Sequence, residues 1–208
     1  MKLNSQSFTD GGRIPAEFAF CVPAAEGHVR FGNNLNPQLE WSSVPAGTRS
    51  FALICHDPDV PNSGDDVNQE GKIVPATLAR VDFFHWVLTD LPADLREIPA
   101  GSFSNEVIPR GKPGPDAPHG MHGINDYTGW FASDDAMRGD YYGYDGPCPP
   151  WNDELVHRYI FTLYALDVEG CVPEGRFGGT ELRNAIAGHI LAEAKLAGTY
   201  TLNPAATD

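Results

Sequence analysis

The sequence has no apolar run long enough to cross a membrane, and residues 1–7 lack the apolar core of a secretory signal. Basic residues are scarce: 14 lysines and arginines stand against 28 aspartates and glutamates, giving a formal charge of −14. This acidity argues against binding to DNA or to an anionic membrane surface, but it does not exclude a small phosphorylated ligand. We therefore expect a cytoplasmic protein with no nucleic-acid partner and no integral membrane association.

Cysteines are also few, and none are paired at the short spacing of a zinc site. We therefore expect free thiols rather than disulfides or a metal centre. The four cysteines are Cys21, Cys55, Cys148 and Cys171.

The 208 residues suit one domain, and turn-forming residues recur about every ten positions, as in a β-sandwich or barrel. The clearest strand patterns are residues 50–55, 83–92 and 157–167. One helix is predicted near the C-terminus, with an N-cap at Thr180 and a glycine stop at Gly198. The expected fold is therefore mainly β with a C-terminal helix.

An acidic corner, His-Asp-Pro-Asp-Val-Pro, follows the first of these strands at residues 56–61. Proline fixes φ and restricts the residue before it, so the Asp57 carboxylate is held in place. Such a corner is either a turn or one wall of a site, and the segment alone favours the turn. The polar residues 62–80 that come next resemble an inserted loop.

Histidines occur in two of the predicted strands. His85 lies in the aromatic half of its strand, where it suits a hydrogen-bonded core residue or a ligand-binding residue equally. His157 and Tyr159 begin one face of a later strand, where they either cap it or point into a pocket. They would lie beside His85 if the two strands were neighbours.

Glycine and proline dominate two further segments, residues 100–130 and 146–150. The first is predicted to be a long irregular segment, and its His119 and His122 have neither a helix beneath them nor a nearby carboxylate pair, so no metal is expected. In the second, prolines fix the chain path and Gly146 permits a close backbone approach.

Taken in order, these motifs resemble those of the phosphatidylethanolamine-binding proteins, also called Raf kinase inhibitor proteins, and in particular their bacterial branch. The resemblance covers nearly the whole chain. The matching segments are residues 8–15, 36–41, 47–61, 85–87, 123–127, 146–150 and 157–159.

The resemblance implies a two-sheet antiparallel β-sandwich with peripheral helices, in a single domain over residues 1–208. It also implies a small pocket that binds phosphate, a phosphorylated small molecule or a phospholipid headgroup, with no cofactor, metal or catalytic residue. The residues that match the family pocket are Asp57, His85, Gly146, Pro147, His157 and Tyr159, with Asp59, Val60 and Phe83 along its wall.

Three of these side chains, His85, His157 and Tyr159, can donate hydrogen bonds to phosphate oxygens. Asp57 would repel a dianion, so we expect it to orient a histidine, to raise the histidine proton affinity, or to accept a proton from a monoanionic ligand. Binding should then be stronger at mildly acidic pH.

Three functional classes remain open. A binding or regulatory module leads, because no nucleophile is obvious. A hydrolase-type enzyme using Asp57, His85 and His157, or a Cys148 thiolate, is the main alternative. The resemblance also implies inhibition of a kinase or protease partner, and it leaves a homodimer open.

Overall fold

The computed structural model describes residues 1–206, and its secondary structure is mainly β, which confirms the predicted fold class. No helix within this range is both long and apolar enough to cross a membrane. The strands are β1 (Lys2–Asn4), β2 (Cys21–Pro23), β3 (Val29–Phe31), β4 (Leu39–Ser42), β5 (Ser50–Pro61), β6 (Arg80–Pro92), β7 (Glu97–Ile98), β8 (Met121–His122), β9 (His157–Leu166) and β10 (Ile190–Tyr200). The helices are α1 (Tyr127–Trp130) and α2 (Gly179–Ile186), and Ala16–Phe18 form a short 3-10 helix.

The strands form three antiparallel sheets. The largest has the spatial order β10-β9-β5-β6-β8, and the two smaller sheets have the orders β1-β4-β7 and β2-β3. Both faces of the large sheet are buried: Leu53 of β5 faces the main core, which the smaller sheets cover, and Ile54 faces a second cluster covered by α2. Burial on both faces explains why β5, β6 and β9 read as nearly continuous apolar runs.

The predicted helix over residues 180–198 is wrong in its second half. Helix α2 ends at Ile186, and β10 forms the edge of the large sheet, paired antiparallel with β9. From Ala194 onwards β10 alternates between more and less buried side chains, as a strand with one face on the core does. The alanines, glutamate and lysine of this segment favour a helix, but pairing with β9 and burial outweigh that propensity.

The acidic corner is also not a turn. Strand β5 continues through Asp57 to Pro61, and its pairing with β6 changes register between Asp57 and Val60. Such irregularities accommodate proline, which cannot donate a ladder hydrogen bond, so Pro58 does not end the strand, which continues to Pro61. Residues 62–79 connect β5 to β6. Residues 8–15 contain no strand, apart from one isolated bridge at Arg13.

A disulfide joins Cys21 and Cys148, so the expectation of free thiols is wrong for this pair. Cys55 and Cys171 are free. The two bonded residues are 127 positions apart, and only the fold brings β2 against the proline segment. The backbone amides of Phe20 and Cys21 both donate to the Pro147 carbonyl oxygen, at 3.0 and 3.1 Å.

Candidate functional site

A cavity of about 160 Å³ is lined by residues from three adjacent strands of the large sheet. Asp57 of β5, His85 of β6 and Tyr159 of β9 supply polar side chains, together with Asn68 from the loop after β5. Strands β6 and β9 are separated by β5, yet the rings of His85 and Tyr159 lie 5.0 Å apart in an edge-on arrangement. The apolar wall includes Phe20, Phe31, Val60, Val67, Phe83, Tyr127, Trp130, Phe131, the Cys21–Cys148 disulfide, Pro149 and Pro150.

Not every residue of the predicted site lines this cavity. Asp57, Val60, Phe83, His85 and Tyr159 do. The remaining four, which lie behind or beside the lining, are Asp59, Gly146, Pro147 and His157.

The Asp59 carboxylate is hydrogen-bonded to Arg158 and does not line the cavity. The guanidinium of Arg158 donates to both carboxylate oxygens of Asp59, at 2.8 and 2.7 Å, and the Arg158 amide adds a third hydrogen bond at 3.0 Å. Burial opposes ionisation of Asp59, but these hydrogen bonds outweigh burial and lower its pKa.

His157 is fully buried between two carboxylates. Its Nδ1 donates to Asp57 Oδ2 at 2.7 Å, and its Nε2 donates to Asp153 Oδ2 at 3.1 Å. Because an ionised carboxylate only accepts hydrogen bonds, both ring nitrogens must carry protons, and the ring is a cation. Burial alone would lower the pKa of His157, but the bonds to Asp153 and Asp57 raise it to about 9.

Arg80 extends this arrangement away from the cavity. Its guanidinium contacts both oxygens of Asp153, at 2.5 and 3.0 Å, and donates to the Asp59 carbonyl oxygen at 2.8 Å. Burial opposes ionisation of Asp153, but hydrogen bonds from His157 and Arg80 lower its pKa. Four charges of alternating sign therefore form a row, Arg80, Asp153, His157 and Asp57, and Asp57 is the member that lines the cavity. We call these four residues the charge row.

His85 is held in a different way. Its Nδ1 lies 2.7 Å from the Asp145 carbonyl oxygen, and because a carbonyl only accepts, Nδ1 must carry the proton. Burial lowers the pKa of His85, which favours the neutral ring at neutral pH. In that form Nε2 has a free lone pair, and it makes no hydrogen bond to any of residues 1–206.

The carbonyl that holds His85 is fixed by buried contacts of the Asp145 side chain. Lys112 Nζ lies 3.2 Å from Asp145 Oδ1, and the side-chain amides of Asn34 and Asn125 donate to the carboxylate at 2.7 and 2.8 Å. All four residues are buried. We call these four residues the Asp145 cluster.

Gly146 and Pro147 lie next to this cluster, and their main-chain groups make hydrogen bonds within the protein. The Gly146 amide donates to Asn34 Oδ1 at 2.8 Å, and a Cβ at Gly146 would collide with the carbonyl oxygen of Phe18. The close approach anticipated for this glycine therefore exists, but it is made to protein backbone.

Tyr159 completes the polar part of the lining. The residue is 1% exposed, and its hydroxyl has no hydrogen-bond partner of acceptable geometry among the described residues. Burial and the nearby Asp57 carboxylate raise the pKa of Tyr159, so it stays protonated. A buried hydroxyl without a partner is uncommon, and it marks a place where a ligand can complete the hydrogen bonding.

The Cys148 thiolate considered from the sequence is wrong, because the Cys148 sulfur is bonded to Cys21. No group of three or more histidine, cysteine, aspartate or glutamate side chains is arranged to hold a metal ion within residues 1–206. His122 is buried on β8, and His119 lies exposed in the preceding loop.

Sequence reasoning missed most of the residues that support the site. Asp153 lies four positions before His157, but no strand or helix period relates them, and Arg80 lies at the end of the segment interpreted as an insertion. Lys112 lies in an irregular segment where no pattern distinguishes it. Asp145 adjoins the Gly-Pro-Cys-Pro-Pro motif, and its place beside this motif is the one sequence feature that could have indicated a role in the site.

Comparisons with known proteins agree on one family. The family model described as phosphatidylethanolamine-binding protein matches residues 4–201. The UPF0098 protein YbhB of Escherichia coli is 33% identical over 202 residues, covering 97% of this chain and 100% of the relative. A UPF0098 protein of Methanothermobacter thermautotrophicus is 34% identical over 200 residues, covering 96% and 98%.

Two solved structures are also similar. The phosphatidylethanolamine-binding protein homologue CT736 of Chlamydia trachomatis has a TM-score of 0.63 and 28% identity, covering 96% of this chain and 95% of its own. YbcL of Escherichia coli has a TM-score of 0.67 and 23% identity, covering 96% and 97%, and supports the fold alone.

Proposed function

Because the chain belongs to the phosphatidylethanolamine-binding protein family, we propose that it is a binding protein whose cavity takes a small phosphorylated headgroup. The observation that carries this proposal is the meeting of Asp57, His85 and Tyr159 in one cavity. Two of them, His85 at Nε2 and Tyr159 at its hydroxyl, make no side-chain hydrogen bond there to any described residue.

The lining suits a ligand with one polar end. Small-molecule sites are mostly apolar and fix their ligands through a few placed polar groups. Tyr159 can donate to a phosphate oxygen, while the aromatic wall, which includes Phe83 and Trp130, can cover the organic part of the ligand. Phe31 and Trp130 are about half exposed and also line the cavity, so they mark its open side.

The proposal extends to regulation in the cytoplasm. The resemblance to Raf kinase inhibitor proteins supports an effect on a kinase or protease partner, and that part is separate from headgroup binding. Hydrolysis through Asp57, His85 and His157 has no comparable support, because both ring nitrogens of His157 already donate to carboxylates.

Calorimetric titration with phosphoethanolamine and inorganic phosphate tests the binding proposal. Tyr159→Phe removes only the hydroxyl and should weaken binding about fivefold, since one hydrogen bond contributes about 1 kcal/mol. His85→Ala removes the Nε2 acceptor and should weaken binding of ligands that carry a P–OH or N–H donor. Tyr164→Phe is the matched control, because Tyr164 lies on the same strand but packs in the second cluster.

Each variant must first give the thermal unfolding midpoint and near-ultraviolet spectrum of a folded protein. The proposal fails if the wild type binds neither ligand, or if Tyr159→Phe and Tyr164→Phe bind them equally well.

A further inference from the structure

A disulfide forms part of the cavity wall. Cys21 of β2 and Cys148 of the proline segment, residues 147–150, both line the cavity, and Cys148 is the less buried of the two. A small thiol that enters the cavity can therefore reach the bonded sulfurs, and such access is one of the factors that set the rate of thiol–disulfide exchange. The bond thus lies where a change in its redox state would act on the cavity.

The proline segment has few hydrogen bonds of its own. Three of its four residues are prolines, which have no backbone N–H, so the Cys148 amide is its single backbone donor. That amide donates to none of residues 1–206. The Pro147 carbonyl accepts from the amides of Phe20 and Cys21, and the disulfide adds a covalent bond beside them. The disulfide is therefore a main connection between this segment and β2.

The hairpin on the other side of the bond is weakly held. Strands β2 and β3 form a two-stranded sheet over residues 21–31 with no third strand in the described chain, and an isolated two-stranded hairpin is marginally stable in water at best. Within it only two residues, at the start of β2, are buried. Near its tip, His28 stacks on Trp151 and contacts Glu70 at 2.6 Å, but this ion pair is exposed and contributes little. Loss of the disulfide should therefore loosen the hairpin.

The rest of the fold does not depend on the bond. Lasting disulfides are needed chiefly by small domains that cannot build a sufficient core, whereas this chain of 208 residues has hydrophobic clusters on both faces of its large sheet. After reduction, the base of β2 would keep its two bonds to the Pro147 carbonyl, and the Tyr200 hydroxyl would still donate to the Cys21 carbonyl at 2.9 Å. The two thiols would therefore stay close, and the bond could form again.

We propose that Cys21 and Cys148 are a reversible redox pair, and that their reduction by small thiols loosens residues 21–31 and weakens ligand binding in the cavity. The link to the ligand rests on the function proposed above. So does one supporting argument: in the cytoplasm stable disulfides are rare, and those that occur are mostly transient or redox-sensing. Phe31 of the hairpin lines the open side of the cavity, so a loosened hairpin must be ordered again when a ligand binds, at a cost in affinity.

A dithiol reduces the pair in two exchange steps. A thiolate of the reductant attacks the Cys148 sulfur, the bond to Cys21 breaks, and the Cys21 thiolate takes up a proton from water. The second thiol of the reductant then attacks the reductant's own sulfur in this mixed disulfide and releases Cys148, which is protonated in the same way. The protein gains two electrons and two protons, and the dithiol leaves as a disulfide. Two molecules of a monothiol such as glutathione give the same balance.

Hydrogen exchange of the backbone amides tests the effect on the hairpin without any ligand. The oxidised wild type is compared with the wild type held in dithiothreitol, and the exchange of each segment is followed by mass spectrometry. Amides of residues 21–31 should exchange at least about tenfold faster after reduction, while those of β5 and β9 should keep their protection. Equal exchange of residues 21–31 in both forms overturns the proposal. Loss of protection in β5 and β9 also overturns it, because the bond would then be a requirement of the fold.

Two variants assign the effect to this pair. Cys21→Ser/Cys148→Ser should exchange like the reduced wild type and should not respond to dithiothreitol. Cys171→Ser is the matched control and should respond as the wild type does, because Cys171 is a free and partly exposed thiol. A double variant that still responds to the reductant overturns the assignment. If the double variant does not fold, the two forms of the wild type decide alone.

Reversibility is tested with mixtures of reduced and oxidised glutathione. The reduced fraction of the pair, counted by alkylation and mass spectrometry, should change continuously with the ratio of the two forms. It should also reach the same value from a reduced or an oxidised starting sample. A pair that stays oxidised in reduced glutathione alone is a permanent structural bond, and the proposal is then overturned.

Calorimetric titration with phosphoethanolamine tests the link to the cavity. The reduced wild type and the double variant should bind at least about threefold more weakly than the oxidised wild type, because the hairpin must be ordered on binding. Equal affinities overturn this link. If phosphoethanolamine binds neither form, the proposed function fails together with the link, whereas the redox pair itself is decided by the hydrogen exchange and the glutathione mixtures.

Discussion

His157 and His85 lie on strands to either side of β5, and both are buried, yet they are held in opposite charge states. Two carboxylates flank His157 and make it a cation, whereas one backbone carbonyl orients His85 and burial keeps it neutral. The charge of a buried histidine therefore depends on its partners and not on its motif.

The residues that surround the two histidines also differ, because one group acts on the charge of its histidine and the other on its position. The charge row places ionised side chains in direct contact with the His157 ring, so its members act on charge. The Asp145 cluster is hydrogen-bonded to His85 only through the main chain of Asp145, whose carbonyl accepts from the His85 ring and whose amide donates to the His85 carbonyl oxygen at 3.0 Å, so its members act on position. Substitutions in the two groups should therefore produce different kinds of effect.

The largest effect should come from breaking the charge row. Asp153→Asn leaves the cations of His157 and Arg80 without a carboxylate between them, and loss of one partner of a buried ion pair costs about 3–5 kcal/mol. Urea unfolding should show this loss of stability. The matched control is Asp167→Asn, because Asp167 pairs with His189 at 2.9 Å on the surface, where the cost should be below about 1 kcal/mol. Similar costs for the two variants would contradict the contrast between buried and exposed pairs.

The second prediction uses pH to separate the two histidines. The pKa of His157 is raised to about 9, so the folded state binds its proton more tightly than the unfolded state. Its stabilising effect is complete below about pH 6.5 and disappears as the pH rises to about 9, a loss of about 3 kcal/mol.

His85 should have the opposite effect. Its pKa is lowered by burial, so the unfolded state binds the proton more tightly and stability falls as the pH falls below the ordinary histidine range. Nitrogen-15 spectra of the histidine rings at pH 7 should show a doubly protonated His157 and a neutral His85. Two neutral rings would contradict the assignment.

Removing the cation of the Asp145 cluster should have a smaller effect on stability. Lys112→Met leaves the Asp145 carboxylate with its two asparagine donors, so we expect a cost of about 2 kcal/mol in urea unfolding. The His85 ring should stay neutral in the same nitrogen-15 spectra, because its contact is to main chain. A change in its charge state would show that the cluster acts on charge after all.

The smallest effect should come from Arg158→Ala. The Arg158 side chain is 57% exposed, so loss of its pair with Asp59 should cost less than about 1 kcal/mol. Headgroup affinity should stay unchanged, which would show that Asp59 and Asp57 have different roles although they belong to the same acidic motif. A tenfold loss of affinity would mean that Asp59 acts on the cavity.

The sequence was sufficient for the fold class and for the central strands. Strands β5, β6 and β9 are buried on both faces, and their long apolar runs favour buried strands over other secondary structures. It failed for β10, whose residues have helix propensity and whose strand conformation depends on pairing with β9.

For the candidate site, the sequence identified side chains but not their contacts. Asp57, His85 and Tyr159 were found through motifs, and the structure places them in one cavity. Arg80 begins β6 and Asp153 lies in the irregular segment before β9, and they meet only in the folded chain, so no local pattern reveals the ion pair that they form.

The bond between Cys21 and Cys148 closes a covalent ring that includes most of the chain. A protease cut anywhere between these residues, for example in the connection of residues 62–79, would leave both fragments attached. Such nicked molecules would migrate as one species on a non-reducing gel and would separate only after a thiol reductant is added. Mass measurements of this protein therefore need both conditions before a preparation is judged intact.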